Sequence, residues 1–198
     1  MAEFKDEKDL ARFLQCSSIL EARVANAYKH LADKVKNTTA KFLLQHIIYD
    51  TLKHSYMLRG IGNTVARLKV NAEDCEGTWG EVWKALIEDS IRELSQKNKI
   101  TNKEFASHID AMKKLESYFA EEYLTTLHTR TIKLIAQQYH IDLGSYTTIL
   151  EWIVEDEKRH EQILTMIKDI ITTQRKPSLT KKNSHQLTAR SNKHSSQS

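Results

Sequence analysis

Chain breakers are scarce in this sequence. Its 198 residues include 5 glycines and one proline, Pro177, so little interrupts a helical backbone. No apolar run approaches the ~18 residues of a membrane span. The opening segment Met1–Asp9 carries charge from its third residue and has no apolar stretch of the kind a secretory signal requires. The expected location is therefore the cytoplasm. There are only two cysteines, Cys16 and Cys75, far apart and in no CxxC pair. Zinc knuckles and rubredoxin-type iron centres need four clustered thiolates, so both are excluded. Cys16 is expected to be a small buried residue and Cys75 an ordinary loop residue.

The net charge of +4 is unevenly spread. Arg175, Lys176, Lys181, Lys182, Arg190 and Lys193 lie in the last 24 residues, which contain no acid. Without those six, 24 basic and 26 acidic residues remain, so the body is near −2. The tail, 175–198, is rich in Ser, Lys, Asn and Thr, has little to bury, and is expected to be disordered. No aromatic residue interleaves with its charges, so binding of nucleic acid or a membrane surface through it is not expected.

Apolar residues recur at helical spacing almost throughout, and strand signals are weak. One helix is expected over Asp9–Lys36, then a turn at Asn37–Thr39. A second runs from Thr39 to Arg59 or on to Leu68, with Gly60 and Gly62 obscuring its end. Asn71–Gly80 is read as a loop and Glu81–Gln96 as a short helix. Long helices follow over Lys103–Tyr139 and Ser145–Thr173. The plan is all-α: a four-helix bundle of two antiparallel hairpins over residues 1–174, with one long connection containing the short helix.

The hairpins resemble each other. His46–Leu58 aligns with Trp152–Leu164 at an offset of 106, matching Ile47 with Ile153, Asp50 with Asp156, His54 with His160 and Leu58 with Leu164. The matched Asp and His carry more information than the apolar matches.

Glu157 and His160 form Glu-x-x-His, which places both side chains on one helix face. Ile153, Leu164 and Ile167 mark that face as buried. A carboxylate and an imidazole in a core need compensation, and iron or manganese accepts both ligand types. In the second helix His54 follows Asp50 at i+4, with Thr51 at i−3. Glu21 shares an apolar face with Leu14, Val24, Ala25 and Tyr28. The third long helix offers Glu121 or Glu122, of which Glu122 is favoured. At ~1.5 Å per residue, Glu21, His54, Glu122 and His160 lie roughly 22–24 Å from their turns, so all four helices deliver these groups to one level. The expected metal ligands are Glu21, Asp50, His54, Glu122, Glu157 and His160, with Glu121 and Asp156 as alternates. Four carboxylates would balance two divalent cations. His46, His108, His128 and His140 are taken as incidental. Trp79, Trp83 and Trp152 are read as packing residues.

Glu21 through Tyr28, Ala120-Glu-Glu-Tyr123 and Glu157-Lys-Arg-His160 together resemble the ferritin-like di-iron carboxylate proteins, nearest the rubrerythrin branch. The resemblance spans about residues 9–173. It implies two iron ions (manganese being the alternative), reduction of dioxygen or peroxide in a ferroxidase- or peroxidase-like oxidoreductase, and a role for Tyr28 beside the ligands. Two departures stand out. Thr51 occupies the position of a bridging Glu, and the rubredoxin module is missing, which implies a separate electron-donor protein or small reductant. A homodimer is compatible with this plan. The alternative is a metal-free helical-bundle interaction protein with a basic tail, in which His54 and His160 bond Asp50 and Glu157.

Overall fold

The computed structural model describes residues 4, 6–80, 83, 100–125 and 144–173. These residues are helical apart from short connections, with no strand among them. Helix α1 spans Glu7–Lys34 and α2 Thr38–Val65. A 3-10 turn, Glu73–Cys75, leads into the single-turn helix α3, Glu76–Trp79. Helix α4 spans Asn102–Thr125 and α5 Gly144–Thr173. The expected helix at 81–96, the continuation of α4 towards Tyr139, the turn before Ser145 and the tail at 175–198 lie outside the described residues, except for Trp83.

Helices α1, α2 and α4 start on polar caps. The Asp6 carboxylate accepts from the amides of Lys8 and Asp9 at 2.9 and 3.0 Å, so α1 begins earlier than apolar periodicity indicates. Asn37 accepts from Ala40 N at 2.8 Å. Before α4, Glu104 N donates to Thr101 Oγ1 at 3.2 Å while Thr101 N donates to Glu104 Oε2 at 2.8 Å, a reciprocal capping box.

Paired residues give the helix directions. Gln15 Nε2 donates to Asn63, and Ser55 Oγ donates to the Ser18 carbonyl at 2.7 Å, so α1 and α2 are antiparallel. Lys168 pairs with Asp110, and His160 with Glu116, so α4 and α5 are antiparallel. Contacts of Glu21 with Tyr123 and Tyr28 with Glu116 set α4 antiparallel to α1. Helices α2 and α4 therefore run in the same direction. The connection between them must return along the length of α2, ~40 Å for a helix of 28 residues.

Gly62 does not end α2. A Cβ there would lie 3.0 Å from Gln15 Cγ, 3.2 Å from the Ala11 carbonyl oxygen and 3.3 Å from Leu14 Cβ. The missing side chain is what lets α1 and α2 approach closely. Gly60 faces open space.

The stretch read as a loop at Asn71–Gly80 is anchored instead. Cys75 is bonded to Cys16 of α1, with a Cα–Cα distance of 5.2 Å, so neither cysteine is free as expected. The buried Trp79 stacks on Phe13 at 5.3 Å and meets Phe119 edge-on at 5.7 Å. Trp83 is also buried, with the Arg23 guanidinium 4.6 Å above its ring. Trp152 is 56% exposed and is not the packing residue expected. No helix among the described residues is long and apolar enough to cross a membrane.

Gly62→Ala should lower stability by about 1 kcal/mol, because overpacking at ~1–3 kcal/mol outweighs a helix-propensity gain of ~1 kcal/mol. Gly60→Ala should raise stability by about 0.5–1 kcal/mol. Urea midpoints of the two variants should move in opposite directions. Cys75→Ser should cost up to about 4 kcal/mol, the loop-closure entropy for a separation of 59 residues, and dithiothreitol should lower the wild-type midpoint but not that of the variant.

Candidate metal centre

The long helices place five ionisable side chains, each 1% exposed or less, in one part of the core: Glu21 from α1, His54 from α2, Glu116 from α4, and Glu157 and His160 from α5. They form two groups. Glu21, His54 and Glu157 make one; Glu116, Glu157 and His160 make the other. Within each group, one ligating atom per residue lies within 4.8 Å of the others. Glu157 belongs to both. Either group could hold a metal ion.

The sequence-predicted residues divide accordingly. Glu21, His54, Glu157 and His160 are brought together. Glu122 is half-buried and Glu121 exposed, and neither belongs to a cluster. Glu116 is the residue α4 contributes. Ile109, Met112, Glu116, Phe119 and Tyr123 form the buried stripe of α4, and Glu122 lies about 120° round the helix from Glu116 at 100° per residue. The level-matching estimate assumed a turn near residue 138, beyond the described part of α4. A usable signal was present in the sequence: Glu116 precedes Tyr123 by the same spacing as Glu21 precedes Tyr28.

That repeated Glu–Tyr spacing has a structural counterpart. Tyr28 Oη donates to Glu116 and Tyr123 Oη donates to Glu21 Oε1, the latter at 2.6 Å. Each tyrosine thus steadies the carboxylate of the opposite hairpin. Behind each histidine stands an aspartate, one in hydrogen-bond contact and one at a longer, electrostatic distance. His54 Nε2 is hydrogen-bonded to Asp156 Oδ2 at 3.1 Å, and His160 Nε2 faces Asp50 Oδ2 at 3.6 Å. Asp50 is therefore outside both clusters, behind His160, and Asp156 is behind His54. Such outer contacts orient the ring so that its other nitrogen faces the centre.

The inner atoms fit a cation. His54 Nδ1 and Glu157 Oε1 are 2.9 Å apart, yet neither makes a hydrogen bond of acceptable geometry. On the other side, His160 Nδ1 lies 3.2 Å from Glu116 Oε2 and 3.7 Å from Glu157 Oε2. No lysine or arginine is among the buried residues described, so His54 and His160 are the basic side chains that face the three carboxylates from within the core. Thr51, 1% exposed, donates its hydroxyl to the Ile47 carbonyl at 2.9 Å and adds no negative charge.

The electrostatics reflect this crowding. Burial, reinforced by the Glu157 charge, raises the Glu21 carboxyl well above its ordinary range. The same causes push Glu116 up to about 8. Burial disfavours charge on His160, but its contacts with Glu116 and Glu157 prevail and raise it to about 10. Burial and the adjacent carboxylates raise both tyrosines. Partial burial also opposes charge on Asp156, but the Lys53 ammonium and His54 hold it down at about 2.

Against known proteins, the chain matches no family model, no curated protein and no solved structure.

With metal removed, the centre should make stability depend on pH. Both Glu116 and His160 have folded-state values above their ordinary ones, so each contribution is complete below the unfolded value and is lost as pH rises through the folded one. The window runs from 4.5 to about 8 for Glu116 and from 6.5 to about 10 for His160. Chelator-treated protein should have a lower urea midpoint at pH 9 than at pH 6.5, and Glu116→Gln should flatten that decline.

Proposed function

We propose that this chain is a ferritin-like di-iron carboxylate protein, an oxidoreductase that uses dioxygen or peroxide. The observation that carries the reading is Glu157, a buried carboxylate shared by two ligand groups, with no buried lysine or arginine among the described residues beside it. The fold supports it. Antiparallel hairpins joined so that α2 and α4 run parallel are the plan of a four-helix bundle with one long crossover. The donor set supports iron, with manganese as the other metal accepting mixed carboxylate and imidazole ligands.

Glu21 and His54 would hold one ion, Glu116 and His160 the other, and Glu157 both. Iron there supplies one-electron couples for the stepwise reduction of an oxygen species. The chain's own residues bind, orient and exclude water. Tyr28 and Tyr123 each hold a hydrogen-bonded proton against a carboxylate at the centre. Thr51 leaves the two halves unequal: three carboxylates against two divalent cations leave one positive charge, which a small anion from solution can balance. Electrons would come from a separate protein or a small reductant.

The disulfide bears on location. Such bonds persist in oxidising compartments and are rare in a reducing cytosol, so Cys16–Cys75 weighs against the cytoplasmic expectation.

One observation favours a second reading, an interaction protein. Phe42, Tyr49 and Tyr56 are 66%, 72% and 81% exposed at seven-residue intervals along α2, an apolar stripe suited to a partner.

Metal counting separates the two. Purified without oxygen in the presence of ferrous iron, wild-type protein should carry close to two irons per chain. Glu21→Gln and Glu116→Gln should each retain about one, and Glu157→Gln close to none. Iron near zero in the wild type, with thermal stability unchanged by added iron, would overturn the di-iron reading.

A further inference from the structure

We infer that Lys53 is a positioning residue for both histidines at once, tying the two halves of the centre to a single surface ammonium. Its Nζ lies 2.8 Å from Asp50 Oδ1 and 2.8 Å from Asp156 Oδ2. Those are the aspartates behind the rings: Asp156 Oδ2 also meets His54 Nε2 at 3.1 Å, and Asp50 Oδ2 faces His160 Nε2 at 3.6 Å. Two arms therefore run inward from one ammonium, each through an aspartate to a fully buried imidazole: the arm to His54 ends in a hydrogen bond, the arm to His160 in a longer electrostatic contact.

An isolated surface ion pair contributes little, and the Lys53 side chain is 46% exposed. This lysine differs from such a pair in what its partners do. An aspartate can orient a ring only if the carboxylate itself is held. Asp50 and Asp156 come from different helices and carry like charges, so without a cation between them they would separate and take both rings with them. Among the described residues, Lys53 is the group within contact distance of both carboxylates, and its counterpart in the internal repeat, Arg159, reaches Asp156 alone, through Oδ1. The repeat is thus broken in function: Lys53 serves both arms and Arg159 one.

The experiment uses the full chain with Lys53→Met, Lys53→Arg and Arg159→Met. The first readout is the ring nitrogen–proton correlation spectrum of metal-free protein, which does not depend on any ion binding. Lys53→Met should shift the resonances of both His54 and His160, and Arg159→Met those of His54 alone. The second readout is titration with cobalt(II), followed by its visible absorption. If the centre is the two-metal site proposed above, Lys53→Met should weaken both binding steps about 10-fold or more, and Lys53→Arg should restore most of the affinity. Arg159→Met should weaken one step. Unchanged ring resonances in Lys53→Met, or a shift confined to His54, would overturn the inference, as would an Arg variant no better than Met in both readouts. Failure of the wild type to take up cobalt or iron, with both rings still shifted by Lys53→Met, would sink the metal reading and leave the role of Lys53 standing.

Discussion

Three carboxylates and two imidazoles share one core, and this electrostatic load governs how the surrounding structure is arranged. Removing such groups from water is costly unless something compensates them. From within, the protein compensates only in part: two imidazoles face three carboxylates, and the buried residues described include no lysine or arginine. Its cations stand at the rim, where Lys53 and Arg159 bind the aspartates behind the histidines. Hydroxyl donors fill part of the remaining need, with one tyrosine on each outer carboxylate. Glu157 receives no such donor among the described residues, and its Oε1 is left without a hydrogen bond. The place where compensation is least complete is therefore the carboxylate common to both ligand groups.

Much of this could be read from the sequence because polar residues stood out on apolar faces. Glu21 is the sole acid in a long stretch of α1, and His54, Glu157 and His160 fall among Ile47, Leu58, Ile153 and Leu164 at helical spacing. The ends of α1, α2 and α5 followed from caps and periodicity to within a few residues, except at Gly60 and Gly62. There, local propensity suggested an end that tertiary contact with α1 overrides. Glu116 was missed because α4 carries several acids and its register was set from a distant turn. The Cys16–Cys75 bond was missed for a different reason: a separation of 59 residues contains no local signal, and only the course of the connection brings the two together.

The internal repeat is accurate where it orients ligands and inaccurate where it sets charge. Asp50 and Asp156 correspond, as do His54 and His160, and each pair keeps its role. Thr51 and Glu157 correspond and do not. Lys53 and Arg159 correspond and reach different numbers of carboxylates. A two-fold arrangement has thus been kept as a scaffold while its two halves became chemically distinct.

The tyrosine and aspartate contacts described at the ligands cross between the hairpins. Tyr28 of the first hairpin serves Glu116 of the second, and Tyr123 of the second serves Glu21 of the first. Asp156 serves His54, and Asp50 faces His160. Glu116, Glu157 and His160 all lie on the second hairpin, whereas the group of Glu21, His54 and Glu157 takes its members from both and is completed only when the two dock. An ion held in that group binds the docked form, and its binding free energy adds to the cohesion of the two halves. The centre would then act as a fastener between the hairpins, and its occupancy would report whether assembly is complete.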